Sequence, residues 1–106
     1  MKKANDPDVL ILTSLAGGAK HGYALTKDIE RFAGVSLGPG TLYGAISRLE
    51  DRGLIQAVGA DDRRRPYRLT TAGRSSLKNA VGEMERVARE GAKRLKLEWR
   101  ASGGIA

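Results

Sequence analysis

Hydroxyls, amines and guanidiniums are the groups with which this chain could do chemistry. Cysteine is absent and His21 is the only histidine. A thiolate site and a multi-histidine metal site are both excluded on that count. No carboxylate pair or nucleophile–base pair stands out for acid–base work. His21, directly before Gly22, reads as a helix cap more than as a base. Gly38-x-Gly40 has the start of a dinucleotide loop, but its third glycine stands at 44 and no strand precedes it. No Gly-Lys-Ser/Thr sequence is present. No catalytic residue, metal or cofactor is expected.

The cations carry more information. Nineteen Lys and Arg stand against twelve Asp and Glu, a net charge of +7. Residues 1–60 hold +1 of it and residues 61–106 hold +6. Such an uneven positive charge suits a polyanion, with nucleic acid first and an anionic membrane surface next. The sharpest focus is Arg63-Arg64-Arg65, which could reach backbone phosphates or the negative minor groove. A second set is Thr41, Tyr43, Gly44, Ser47 and Arg48, the polar or small positions of one helix. Residues of this size and polarity at the start of a helix can meet base edges in a major groove. Pro39 and Gly40 open that helix with free N–H groups suited to a phosphate. Lys20 and Lys27 could add contacts from the helix before it. The bland reading of each set is a solvated surface, with Asp61 and Asp62 offsetting part of the arginine run.

The elements that must hold these residues follow from periodicity. With 106 residues, 41% of them hydrophobic, one compact domain is expected. Asp6-Pro7 starts a first helix whose residues Val9, Leu10, Ile11, Leu12 and Leu15 are apolar nearly all round, so it should be buried. Gly17-Gly18 stops it. A second helix opens at His21-Gly22, with Leu25, Ile29 and Phe32 as its buried face and Gly34 as its end; Tyr23 is expected in the core. Leu42, Ile46 and Leu49 form the buried stripe of the third helix, with Ala45 beside it. Residues 54–58 and 66–70 read as two strands joined by the arginine-bearing loop. Thr70 or Thr71 caps a long helix running to about Trp99. Leu77, Val81, Met84, Ala88, Gly91 and Leu95 recur along it at heptad-like spacing. That stripe has little domain left to cover it, so pairing with the same helix of a second chain is expected. Trp99 could stack on a flat ligand where two such helices meet.

This order gives a mainly α fold with a β-hairpin wing. It is a winged helix-turn-helix over residues 1–70, a dimerisation helix over 71–100 and a tail over 101–106. No apolar run reaches the ~18 residues of a membrane span, and no signal peptide is visible, so a cytoplasmic location is expected.

Four segments also resemble a known family. They are His21-Gly22-Tyr23; Leu37-Gly38-Pro39-Gly40-Thr41-Leu42-Tyr43; Arg48-Leu49-Glu50-x-x-Gly53-Leu54-Ile55; and Arg64-Arg65-Pro66-Tyr67-Arg68-Leu69-Thr70-x-x-Gly73. Together they look like the PadR transcriptional regulators, over roughly residues 8–95. The resemblance implies a repressor that dimerises through its C-terminal helices and binds a near-palindromic operator in double-stranded DNA. The single helix after the wing resembles the small subfamily, some members of which hold a small aromatic effector between tryptophans at the dimer centre. Trp99 lies in the corresponding helix. The sequence departs from the family where Gly38 replaces a frequent serine and Gly44 a frequent proline. A reading from a different class stays open, namely a small-molecule sensor or protein-interaction module with weak or lost DNA specificity. RNA binding is weaker, because aromatics are only 5% of the chain.

Overall fold

The computed structural model describes residues 5–59 and 65–96. Four helices and one hairpin follow in the order α1 (Pro7–Ala16), α2 (Gly22–Ala33), α3 (Pro39–Asp51), β1 (Ile55–Ala57), β2 (Tyr67–Leu69) and α4 (Thr71–Arg94). The expected winged helix-turn-helix order is present.

α1 is the hub. Its cap is Asp6, whose carboxylate accepts the Asp8 N–H at 2.9 Å. Val9, Leu10, Ile11, Leu12 and Leu15 are all buried, since α2, α3, α4 and β2 all pack against this helix. An apolar stripe on one face alone could not satisfy four neighbours.

α2 buries Leu25 and Ile29 and ends at Gly34 with φ 68°. That is left-handed backbone where glycine carries no steric penalty. Three expectations fail here. Phe32 is 45% exposed because the stripe outruns the core in the last turn of α2. Tyr23 is 68% exposed because it lies two residues before Leu25, about 160° round the helix at ~100° per residue. His21 occupies the N-cap position, but its side chain makes no capping bond, contrary to expectation.

α3 buries Leu42, Ala45, Ile46 and Leu49. Gly53, at φ 73°, turns the chain so that the Leu54 N–H returns to the Leu49 carbonyl at 2.9 Å. The hairpin pairs Ile55 with Leu69, Gln56 with Arg68 and Ala57 with Tyr67, antiparallel. Its strands are shorter than residues 54–58 and 66–70. Beyond them the contact continues through single bonds, Val58 N–H to Pro66 at 2.8 Å and Thr70 N–H to Leu54 at 3.1 Å. β2 also pairs on its other side. Lys20 and Tyr67 exchange backbone bonds of 3.1 and 2.8 Å, which locks the segment before α2 to the wing.

α4 is capped by Thr70, whose hydroxyl accepts the Gly73 N–H at 3.0 Å. Leu77 is buried in the core, and Ala80 and Met84 pack against it. Further along, Val81, Ala88, Gly91 and Leu95 are exposed and Ala92 is buried outside the core cluster, so α4 runs beyond the core. The molecule measures 51 × 25 × 22 Å, with a radius of gyration of 15.2 Å. That exceeds the ~13 Å usual for a compact chain of this length. α4 ends at Arg94 rather than near Trp99, which lies outside the described residues.

Candidate nucleic-acid interface

α2, the turn over residues 34–38 and α3 make the helix-turn-helix. With Leu42, Ala45, Ile46 and Leu49 turned to the core, Pro39, Gly40, Thr41, Tyr43, Ser47 and Arg48 are left exposed and Gly44 partly so. α3 begins at Gly38 with no side-chain cap and with Pro39 in its first turn. Its remaining first-turn N–H groups and dipole are turned to solvent.

Two of the exposed side chains are fixed from below. Tyr43, 54% exposed, lays its ring against the first residue of α2. A Cβ on Gly22 would collide with the Tyr43 hydroxyl and stand 3.0 Å from its Cζ. Glycine at 22 is therefore what lets Tyr43 lie across both helices. Arg48 is held by Asp8, on the first turn of α1, with Nη2 3.0 Å from Oδ1. Asp8 is buried and the Arg48 side chain is 59% exposed. The guanidinium folds back over Gly44, where an added Cβ would lie 3.7 Å from Nη1.

The lysines are tied in differently. Lys20 donates to the carbonyls of Ser14 and Gly18 at 2.5 and 3.1 Å, closing the end of α1, and lies 3.9 Å from Asp28. Its ammonium is thus held against the end of α1, with the side chain 21% exposed. Lys27 is open, 3.8 Å from Glu30 and 5.7 Å above the Tyr23 ring. Asp28 links the two helices. It accepts the Ser14 hydroxyl at 2.6 Å and pairs with Arg31. The Ser14 hydrogen bond holds its carboxyl below the ordinary carboxylate range; Arg31 and Lys20 assist, against a smaller opposing push from burial.

On the wing, Arg65 is exposed. Arg63 and Arg64 lie outside the described residues. Arg68, on β2, donates to Gln56 across the strand pair at 2.9 Å. Among the described residues no group of three metal-ligating side chains converges, and no helix is long and apolar enough to cross a membrane.

Sequence reasoning missed Asp8, Ser14, Asp28 and the packing role of Gly22. Asp8 meets Arg48 across 40 residues and Asp28 meets Ser14 across 14, so no local pattern marks these two contacts.

Helices α2, α3 and α4 packed on α1, with an antiparallel hairpin between α3 and α4, define the winged helix-turn-helix class. The PadR-like transcriptional regulator family matches residues 11–79, and the chain belongs to that family. Its fold and family are those of transcription regulators rather than enzymes. It is 41% identical over 83 residues to the transcriptional regulator Rv3488 of Mycobacterium tuberculosis, covering 76% of this chain and 77% of that protein. It is 43% identical over 86 residues to a 37.1 kDa protein in transposon TN4556 of Streptomyces fradiae, covering 81% of this chain but only 25% of that protein. Among solved structures, a PadR family transcription regulator from Clostridium difficile R20291 superimposes with a TM-score of 0.72 at 26% identity, covering 84% of this chain and 96% of the other.

Proposed function

We propose that this protein is a homodimeric, sequence-specific DNA-binding repressor. α3 enters the major groove and reads bases through Thr41, Tyr43 and Ser47, with Gly44 keeping the helix surface low between them. Pro39 and Gly40 bring its N-terminus to a phosphate, and Arg63, Arg64 and Arg65 grip the backbone from the wing. Lys27 adds a phosphate contact, whereas Lys20 and Arg48 serve mainly to hold the fold. The observation that carries this reading is the division of α3 into a buried apolar face and an exposed face of hydroxyls and glycines. Groove entry demands that division.

The dimer joins along α4, whose exposed Val81, Ala88, Gly91 and Leu95 continue the stripe begun by Leu77 and Met84. Paired reading heads would meet half-sites about one helical turn apart, and a bound dimer represses by occupying the duplex. A flat aromatic effector would stack on Trp99; since this is the only tryptophan, quenching of the protein's fluorescence reports it directly.

The test is selection of bound duplexes from a random pool at physiological salt. Enrichment of a two-fold-symmetric site is expected. If about four phosphates are neutralised per protomer, log K falls against log salt with a slope near −7 (~−0.9 per phosphate). Arg64→Ala weakens binding to all sequences alike, while Tyr43→Ala and Ser47→Ala change preference among sequences. Equal losses on selected and random duplexes for all three variants refute this division of labour. Sequence-independent binding that vanishes at moderate salt would favour the sensor or interaction-module reading instead.

A further inference from the structure

Arg48 is the only cation on α3, and it stands at the edge of the exposed face. Its guanidinium lies back over Gly44, toward the end of the helix that enters the groove. A freed arginine at the edge of that face, rather than at its centre, would be open to a phosphate on any sequence, and phosphate contacts carry no sequence information. Here it is claimed by Asp8, a buried carboxylate from another helix, at 3.0 Å. We infer that Asp8 is a specificity-determining residue, which holds Arg48 against α1 in the DNA complex as in the free protein and so keeps the reading helix free of non-specific phosphate attraction.

Two features make the lock effective. Asp8 is largely shielded from water, so its attraction for Arg48 is screened less than that of a phosphate at the surface. Gly44, with no side chain, leaves the guanidinium a flat seat in van der Waals range. With Arg48 neutralised, the remaining charges of α3 are Glu50 and Asp51 at its far end. The groove-facing set is then uncharged, and its affinity depends on fit to the bases.

This inference rests on α3 being the reading helix. The test compares binding of the selected duplex and an unrelated duplex between 50 and 200 mM salt. The full chain, Asp8→Asn, Arg48→Gln and the double variant are measured. Asparagine keeps the shape of Asp8 but releases the charge. Asp8→Asn is expected to raise affinity for the unrelated duplex several-fold at the lowest salt. The slope of log K against log salt should steepen by about 0.9 per protomer, and the ratio of selected to unrelated binding should fall. Arg48→Gln and the double variant show neither gain nor steepening. An unchanged or shallower slope for Asp8→Asn overturns the inference, and so does a gain that persists in the double variant. Should Asp8→Asn not fold, side-chain NMR of the unaltered protein decides. Arg48 guanidinium signals that stay in place on adding DNA support the lock, and signals that move as the Asp8 contact breaks overturn it. Failure of the underlying reading looks different: Tyr43→Ala and Ser47→Ala would leave sequence preference intact, whatever Asp8→Asn does to the slope.

Discussion

At Gly73 the backbone of α4 lies directly on the carbonyl of Leu54. A Cβ there would overlap that oxygen and stand 3.3 Å from Cδ2 of Leu69. The neighbour is backbone, so it cannot swing aside. Thr70 completes the joint, capping Gly73 while donating to the Gly53 carbonyl at 2.6 Å. Gly73→Ala should therefore cost ~1–3 kcal/mol, the usual range for overpacking. For a domain of this size that is a fall in melting temperature of ~4–8 °C per kcal/mol, read in a thermal melt. Asp28 gives a prediction with a sign in pH. Its carboxyl titrates below the ordinary value in the folded chain because the Ser14 hydroxyl, Arg31 and Lys20 favour the charged form. The stability this supplies is fully present above the unfolded pKa of about 3.9. It is lost as pH falls through the folded value. Asp28→Asn should lower stability at neutral pH and flatten the acid limb of the stability profile, as measured by denaturant melts at several pH values. An acid limb as steep as that of the unaltered protein would show that Asp28 is not its source.

The elements differ in how much of them periodicity could reveal. The stripe of α3 (Leu42, Ile46, Leu49) and the apolar girth of α1 are local patterns, and both helices stand where those patterns put them. The same local logic located the hairpin, because Pro66 and two β-tolerant runs bracket a charged loop. It could not show that Lys20 pairs with Tyr67. A strand contribution of one residue has no period, and its only signal is the partner's free edge. α2 shows the converse error. Phe32 repeats the spacing of Leu25 and Ile29, yet spacing carries no information on where the core ends. The exposed polar face of α3 was legible as the complement of a buried stripe. Which of its members are free was not, because Asp8 lies 40 residues from Arg48, and Gly22 meets Tyr43 only after α2 and α3 pack.

At the scale of the whole molecule the decisive feature is how α4 runs beyond the core. Its 24 residues extend ~36 Å at 1.5 Å per residue, and core contact stops near Met84. Gly82 and Gly91 both sit in the helix with open space where a Cβ would go. They are nine residues apart, which at ~100° per residue places them on opposite faces. Gly91 shares the stripe of Leu77, Met84 and Leu95; Gly82 faces away. Replacing an exposed helical glycine with alanine stabilises by ~1 kcal/mol, so both variants would gain equally if α4 stood alone. If α4 meets the same helix of a second chain, they must diverge. Gly82→Ala then raises the melting temperature and leaves self-association as it was. Gly91→Ala puts a methyl between the two helices and weakens the dimer, seen as a larger dissociation constant in sedimentation and a melting temperature more dependent on protein concentration. A weaker dimer should also lose affinity for the two-fold duplex out of proportion to its affinity for one half-site, because the second head no longer binds at the effective concentration set by the first. Equal stabilisation by both substitutions, in a protein that sediments as a monomer, would remove the dimer from the proposed function and leave a single reading head.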